Sequence, residues 1–400
     1  MTEKICVVGL GYIGLPTASL LATKGFDVHG VDVNADVVQT INDGRIHIVE
    51  PGLDILVRSA VNSGNLSADL KPEQADVFVI AVPTPFRDGH QPDLTYVMSA
   101  TDTIAPYLRP GNIVILESTS PAGTTERIAS RIAELRPELT GDQRLFVAHC
   151  PERVLPGQIL RELVENDRVV GGVDPVSTQR AVAFYEKFVS GQVLSTDART
   201  AELCKLVENS YRDVNIAFAN ELSLVAHELD VDVWELIRLA NRHPRVNILQ
   251  PGPGVGGHCL AVDPWFIVSG APEQATLIRT GREVNEKKTE WVVSHVQARA
   301  ARFRAPVIAC LGLSYKPDID DVRESPALDI AKALTQSVEG TVLCVDPHVE
   351  PVDGLTHAEL DDALSRADIV VALVAHRAFK QLDRTKLHER VLIDTCGVFR

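Results

Sequence analysis

Cys259 stands in the glycine-rich stretch Gly252-Pro253-Gly254-Val255-Gly256-Gly257-His258-Cys259-Leu260-Ala261-Val262-Asp263. Of its six companions, most look buried. Cys6, Cys310 and Cys344 lie in apolar strand-like runs, and Cys204 lies in a helical pattern. A thiol in an open glycine loop can attack an electrophilic carbon. Asp263, four residues on, can act through water as a base or orient the thiol, and His258 is a further candidate base. Lys205, Asn209 and Arg212 recur at i, i+4 and i+7, so a helix would carry all three on one face. Beside a substrate that face offers a cation, an amide and a guanidinium. The bland alternatives are a packing cysteine and a solvated helix face, and spacing alone does not choose between them.

Other residues suit anions or proton transfer. His243-Pro244-Arg245 precedes the cysteine loop and is a candidate phosphate or carboxylate contact, or simply a surface turn. Glu152-Arg153 follows a strand end and pairs an acid/base candidate with an anion contact. Arg323 precedes Glu324-Ser325-Pro326, a helix-start pattern, and is a candidate pyrophosphate contact.

These residues need elements to position them. Residues 4–9 (KICVVG) read as a buried strand, followed by Gly9-Leu10-Gly11-Tyr12-Ile13-Gly14, an apolar helix to about Lys24, and a second strand over 27–33. Strand, GxGxxG and helix in that order predict a dinucleotide-binding turn. Asp32 ends the second strand, where an acid hydrogen-bonds a ribose 2′-hydroxyl and repels a 2′-phosphate. The cofactor read here is therefore NAD. Apolar runs at 76–82, 113–117 and 145–148 predict further strands. The turns after two of them, Pro83-Thr84-Pro85 and Ser118-Thr119-Ser120-Pro121, line the ligand crevice of an open parallel sheet.

No glycine or proline occurs between Gly191 and Pro244. Thr196 and Asp197 can cap a helix over 198–227, roughly 45 Å long at the usual rise. Such a helix reads as a connector and as the interface of a homodimer. A second helix is expected near 233–241. From Val307 the early pattern returns: IACLGL echoes ICVVGL, EGTVLCVDP echoes GFDVHGVDV, and RADIVVALVAH echoes QADVFVIAVPT. Here Gly312-Leu313-Ser314-Tyr315 replaces GxGxxG, so the repeat is read as binding another ligand, a nucleotide. The fold class is α/β, with two Rossmann-like parallel-sheet domains joined by a long central helix and a helical middle domain. The expected domains are 1–195, 196–299 and 300–400.

The chain has 400 residues, 45% of them hydrophobic, and a net charge of −15. That charge argues against a nucleic-acid partner, which selects a basic stripe. No run reaches the roughly 18–20 apolar residues that span a bilayer. Seven cysteines without CxxC pairing fit a reducing compartment and argue against a structural zinc site. A strand beginning at Lys4 leaves no room for a signal peptide, so a cytoplasmic protein with no membrane partner and no metal is expected.

Taken together, GLGYIGLP (9–16), AVPTP (81–85), ESTSP (117–121), CPERVLPG (150–157), AELCKLVENSYRDVNIAFANEL (201–222), GGHCLAVDP (256–264) and KPDIDDVRESP (316–326) resemble the UDP-glucose/UDP-N-acetylmannosamine dehydrogenase family over essentially the whole chain. RLANRHPRVNILQPGPGVGGHCLAVDPWF (238–266) resembles the N-acetylmannosamine branch. In the UDP-glucose branch a lysine stands where this chain has Val262. The resemblance implies a four-electron, NAD-dependent oxidation of a UDP-sugar at C6 in a homodimer. It implies Cys259 as nucleophile, Lys205 as proton donor/acceptor or oxyanion stabiliser, Asn209 on the reacting oxygen, and Asp263 supporting water or lysine. Glu152 and Thr119 would lie near the hydrolytic water. Arg153, Val154, Lys205, Asn209, Arg212, His243, Arg245, Gly256, Tyr315 and Lys316 would line the sugar-nucleotide site. Gly9, Gly11, Tyr12, Ile13, Gly14, Asp32, Thr84, Thr119 and Arg323 would hold NAD. Three alternatives stand beside this: UDP-N-acetylglucosamine or UDP-glucose as substrate, a two-electron hydroxyacid-type dehydrogenase in which Lys205 is the acid/base and Cys259 is structural, and a non-catalytic NAD-responsive sugar-nucleotide-binding protein.

Overall fold

The computed structural model describes residues 3–400 except Pro156 and His258, and leaves the side chains of Asp88 and Asp142 undescribed. His258, a candidate base in the sequence, thus lies outside the described residues. The chain forms two compact units, Met1–Val207 and Glu208–Arg400.

In the first unit, apart from a small hairpin of Phe86–Arg87 and Gln91–Pro92, the strands of the large sheet are β1 (Lys4–Val8), β2 (Asp27–Val31), β3 (Leu66–Asp69), β4 (Val77–Ile80), β5 (Ile113–Leu116), β6 (Phe146–His149), β7 (Arg168–Gly172) and β8 (Val193–Asp197). They form one sheet in the order β8-β7-β6-β5-β4-β1-β2-β3. Apolar side chains bury on both faces: Ile5 and Val7 join one core cluster, Cys6 and Val8 the other. That double burial is why β1, β4 and β5 read as continuous apolar runs. Neighbours are parallel except β6 and β7, which run antiparallel through Ala148–Gly172 and His149–Gly171. The sequence reading did not include β7 and β8. The first is short and glycine-containing (RVVGG), and the second is a largely exposed edge strand (VLSTD).

The central helix spans Ala198–Glu228, close to the expected 198–227. Of its two candidate caps, Asp197 does the work, accepting the Thr200 N–H at 2.9 Å and the Thr200 hydroxyl at 2.6 Å. Thr196 instead stays in β8. The expected second helix is Val233–Ala240, capped by Asp232. Helices Asp263–Gly270 and Thr276–Ala300 follow.

The C-terminal part of the second unit is a fully parallel sheet of β9 (Val307–Leu311), β10 (Thr341–Val345), β11 (Thr356–His357), β12 (Ile369–Ala372) and β13 (Val391–Asp394). Its order is β11-β10-β9-β12-β13. The strands β9, β10 and β12 are the three segments that echo β1, β2 and β4. Among the described residues, no helix is long and apolar enough to cross a membrane.

Candidate functional site

The glycine fingerprint makes the expected turn. Gly9 has φ +92°, and a Cβ there would lie 2.6 Å from the Ala81 carbonyl oxygen. A Cβ on Gly14 would meet the Gly9 oxygen, so this glycine lets helix Gly14–Thr23 start against the turn. Gly11 differs: a Cβ there would meet nothing within 4 Å. Gly11 thus leaves open the space a side chain would fill, as close approach of a pyrophosphate requires. Asp32 accepts the Leu10 N–H at 3.0 Å and the Asn34 N–H at 2.9 Å, which fixes the carboxylate at the strand end. These residues fit NAD. Tyr12 is exposed and Ile13 half-buried beside them. The Thr84 hydroxyl donates to the Thr119 carbonyl at 2.6 Å, tying together the two strand-end loops singled out in the sequence.

A buried polar group lies behind those loops. Glu152 is 6% exposed and Arg168 is 2% exposed. They pair at 2.8 Å, and the other Glu152 oxygen accepts the Arg153 N–H at 2.6 Å. The Arg168 guanidinium also lies over the Tyr185 ring, 5.7 Å from its centroid. Tyr185 donates to Glu117 at 2.7 Å. Burial pushes the Glu117 carboxyl up to about 7; Arg168 opposes this and Glu152 adds to it. Glu117, Arg168 and Tyr185 were not singled out in the sequence. A lone acid between an apolar strand and a polar turn was the available signal for Glu117.

In the second unit, Cys259 is half-buried. Its carbonyl accepts the N–H groups of Val262 and Asp263, at 3.0 and 2.8 Å. Asp263 is the first residue of helix Asp263–Gly270 and is 3% exposed. Asn209 donates to its carboxylate at 2.5 Å. Two candidates 54 residues apart in sequence are therefore hydrogen-bonded. Lys205 is one turn before Asn209 on the central helix, half-buried, while Arg212 is exposed. Thr289 donates to the Pro253 carbonyl at 3.0 Å, and the Gly252 N–H donates to Asn220 at 2.8 Å. Asn220 in turn donates to Asn285 at 2.8 Å, and Asn285 and Arg282 donate to Asp213 at 2.8 and 2.7 Å. This buried ladder holds the loop to two helices. Asn209, Asp213 and Asn220 share a helix face, and that polar repeat was visible in the sequence.

The loop glycines answer to close packing rather than to substrate access alone. A Cβ on Gly256 would lie 2.2 Å from the Glu324 carbonyl oxygen and 3.0 Å from the Tyr315 Cβ. One on Gly257, at φ +88°, would lie 2.9 Å from the Tyr315 ring. Tyr315 is half-buried here, and burial first, then Asp321 and Cys259, push its phenol up. The Lys316 ammonium sits 5.9 Å from the Tyr315 ring centroid. The structure thus packs Tyr315 against Gly256 and Gly257 of the cysteine loop, with Lys316 over the Tyr315 ring. Arg323 is exposed and forks onto Asp321 at 3.0 and 2.6 Å. His243 and Arg245 are exposed in the segment after helix Val233–Ala240.

Among the described residues, Asp318, His348 and His376 form the one cluster with metal-ligand character. Both His376 nitrogens are engaged: Nδ1 accepts the Asp318 N–H at 2.9 Å, and Nε2 lies 3.2 Å from Asp346.

Comparison with known proteins follows the same division. The chain matches the family models for the UDP-glucose/GDP-mannose dehydrogenase family, NAD binding domain over residues 3–189, central domain over 199–287, and UDP binding domain over 309–400. It is 58% identical to an NDP-N-acetyl-D-galactosaminuronic acid dehydrogenase from Ralstonia nicotianae, over 99% of this chain and 96% of that protein. It is 54% identical to the UDP-N-acetyl-D-mannosamine dehydrogenase of Escherichia coli (strain K12), over 99% of both chains. Its fold is similar to that of the UDP-N-acetyl-mannosamine dehydrogenase Cap5O from S. aureus, with a TM-score of 0.90, 45% identity, and coverage of 99% and 95%.

Proposed function

Because this chain belongs to the UDP-glucose/GDP-mannose dehydrogenase family, an NAD-dependent oxidoreductase family, we propose that it oxidises the C6 alcohol of UDP-N-acetyl-D-mannosamine to the uronate. A bound NAD would supply the hydride acceptor for each oxidation, a second NAD replacing the first between them. The chain's residues do the rest. Lys205 accepts the hydroxyl proton as the alcohol becomes an aldehyde and stabilises oxyanion charge as each tetrahedral species forms. The Cys259 thiolate adds to the aldehyde carbon, giving a thiohemiacetal. Loss of the second hydride leaves a thioester, and water cleaves it to carboxylate and thiol. Asn209 holds the reacting oxygen, and Asp263 orients water or lysine. Glu152, with one oxygen on Arg168 and the other on a main-chain N–H, serves beside Thr119 as a fixed acceptor for the hydrolytic water. The remaining matched residues, from Arg153 to Lys316, line the sugar nucleotide, and Arg323 reaches the NAD pyrophosphate.

The observation that carries this reading is the Asn209–Asp263 hydrogen bond between the central helix and the start of the helix that follows the Cys259 loop. It ties Asn209 to the segment four residues beyond the thiol. The test is stoichiometry. Wild type is expected to form two NADH per UDP-sugar. Cys259→Ala is expected to make no uronate while retaining reduction of supplied aldehyde by NADH. Uronate formation by Cys259→Ala at near wild-type rate would defeat the covalent mechanism. The 58% identity to a protein named for N-acetylgalactosaminuronic acid supports a second substrate, the corresponding galactosamine nucleotide. Relative kcat/KM on the two UDP-sugars, with UDP-N-acetylglucosamine and UDP-glucose beside them, decides.

We also assign a cytoplasmic homodimer, with domains divided at 195/196 and 299/300. Tyr211, Phe218 and Val225 stand exposed at 69, 55 and 47% along the central helix, and this stripe supports burial against a second copy. Arg245 would then reach the neighbouring copy's site. A fully active monomer in dilute solution would defeat both assignments.

A further inference from the structure

The loop that follows β6 is held in an unusual way. From 153 to 159, every second main-chain N–H is taken by a carboxylate. Arg153 N–H donates to Glu152 at 2.6 Å, and Leu155 N–H donates to Glu162 at 2.7 Å. Gly157 N–H and Ile159 N–H donate to the two oxygens of Glu50, each at 2.8 Å. Three of the four amides thus depend on acids outside the immediate turn. Glu50 is the most distant, 107 and 109 residues away in sequence. It is also 4% exposed, so its charge is sheltered from water and its hydrogen bonds face little competition. The surroundings fix it. Ile48 and Leu53 on its own segment, and Ile159 and Leu163 on the other, share one apolar core cluster.

Such a buried carboxylate costs free energy to desolvate, and both its oxygens are spent on the loop. Arg168 fixes the near end through Glu152, and Glu50 fixes the far end. Between these anchors lie Arg153 and Val154, both half-buried. We propose that Glu50 is a positioning residue for the sugar-nucleotide site: by holding the Gly157 and Ile159 N–H groups it fixes, before ligand arrives, the main chain that follows Arg153 and Val154, so that binding does not have to order it. This rests on the reading that Arg153 and Val154 line that site. A residue that only pre-shapes a loop changes the ligand's binding more than the chemistry after it.

The test uses the full chain with Glu50→Ala and Glu50→Gln. Steady-state constants are measured for the UDP-sugar that wild type turns over best and for NAD, beside thermal unfolding. Glu50→Ala removes both hydrogen bonds and is expected to raise the UDP-sugar KM at least about tenfold, with kcat and the NAD KM within about twofold. Glu50→Gln keeps the volume and one acceptor, so it should fall between wild type and Glu50→Ala. If Glu50→Ala fails to fold, Glu50→Gln carries the test with the same split. Constants for UDP-sugar and NAD that move together, or not at all, overturn the proposal and leave Glu50 a stability residue. Failure of the functional reading would show earlier and separately, as a wild type that oxidises no UDP-sugar.

Discussion

The two Rossmann repeats share a skeleton and differ in what fills it. In both, a glycine after the first strand has positive φ, +92° at Gly9 and +100° at Gly312, and packs against the neighbouring strand end. In both, an aspartate after the second strand accepts the next main-chain N–H. Asp32 takes Leu10 at 3.0 Å, and Asp346 takes Leu313 at 2.7 Å. Beyond that they part. Asp32 accepts the Leu10 and Asn34 main-chain N–H groups, whereas the Asp346 side chain is fully buried and also lies 3.2 Å from His376. Burial alone would raise the Asp346 carboxyl, but His376 and the surrounding amides outweigh it and hold it at about 2. Where Gly11 leaves space, Ser314 places a buried side chain that donates to the Lys316 carbonyl at 3.0 Å. The first repeat keeps an open acid and an open cradle. The second has closed both with its own side chains and presents Tyr315 and Lys316 instead. A shared backbone therefore does not imply a shared ligand mode.

Exchanging function for stability at the two aspartates is the sharpest way to break that contrast. Asp346→Ala strands several amides and His376, and should lower unfolding stability by about 3–5 kcal/mol. Asp32→Ala should cost about 1 kcal/mol of stability but weaken NAD and erode its preference over NADP. Denaturant melts of both variants, with NAD and NADP kinetics for the second, check the pair. Equal stability losses would erase the distinction. Importing the other repeat's residue comes next. Gly11→Ser meets no protein atom, so the fold should hold, while NAD affinity should fall by roughly a hundredfold, near 2.7 kcal/mol. NAD titration with a thermal melt reads both, and unchanged NAD affinity would mean the cradle is not at Gly11.

The smallest effect concerns Glu117, behind the first repeat's crevice. Its folded-state pKa is raised to about 7 from 4.5. Stability from the neutral acid is fully present below the unfolded value and is lost as pH rises through about 7. Glu117→Gln should therefore gain on wild type by about 2.5 kcal/mol between pH 5 and pH 8. Unfolding free energies of both proteins at those two pH values settle it, and a pH-independent difference would contradict the assignment.

Much of this was legible in the chain itself. Local patterns determined the first fingerprint, Asp32, the central helix to within a residue, the internal repeat and the cysteine loop. Each is a short-range signal: strand burial on two faces, helix punctuation, or a turn only glycine can make. Tertiary structure alone decided the rest. The Asn209–Asp263 bond joins residues whose pairing no local rule specifies. The reversed β7 and the edge strand β8 carry weak patterns, and their place in the sheet comes from pairing, β7 with β6 and β8 with β7. Glu50, Arg168 and Tyr185 looked like ordinary polar residues until folding buried them against distant amides and acids. Gly256 and Gly257 belong to a loop read as open around the thiol, and they make room for Tyr315 and Glu324. A residue's type and spacing declare what chemistry it can perform, but its partners, and hence its charge state and reach, are set by contacts distant in sequence.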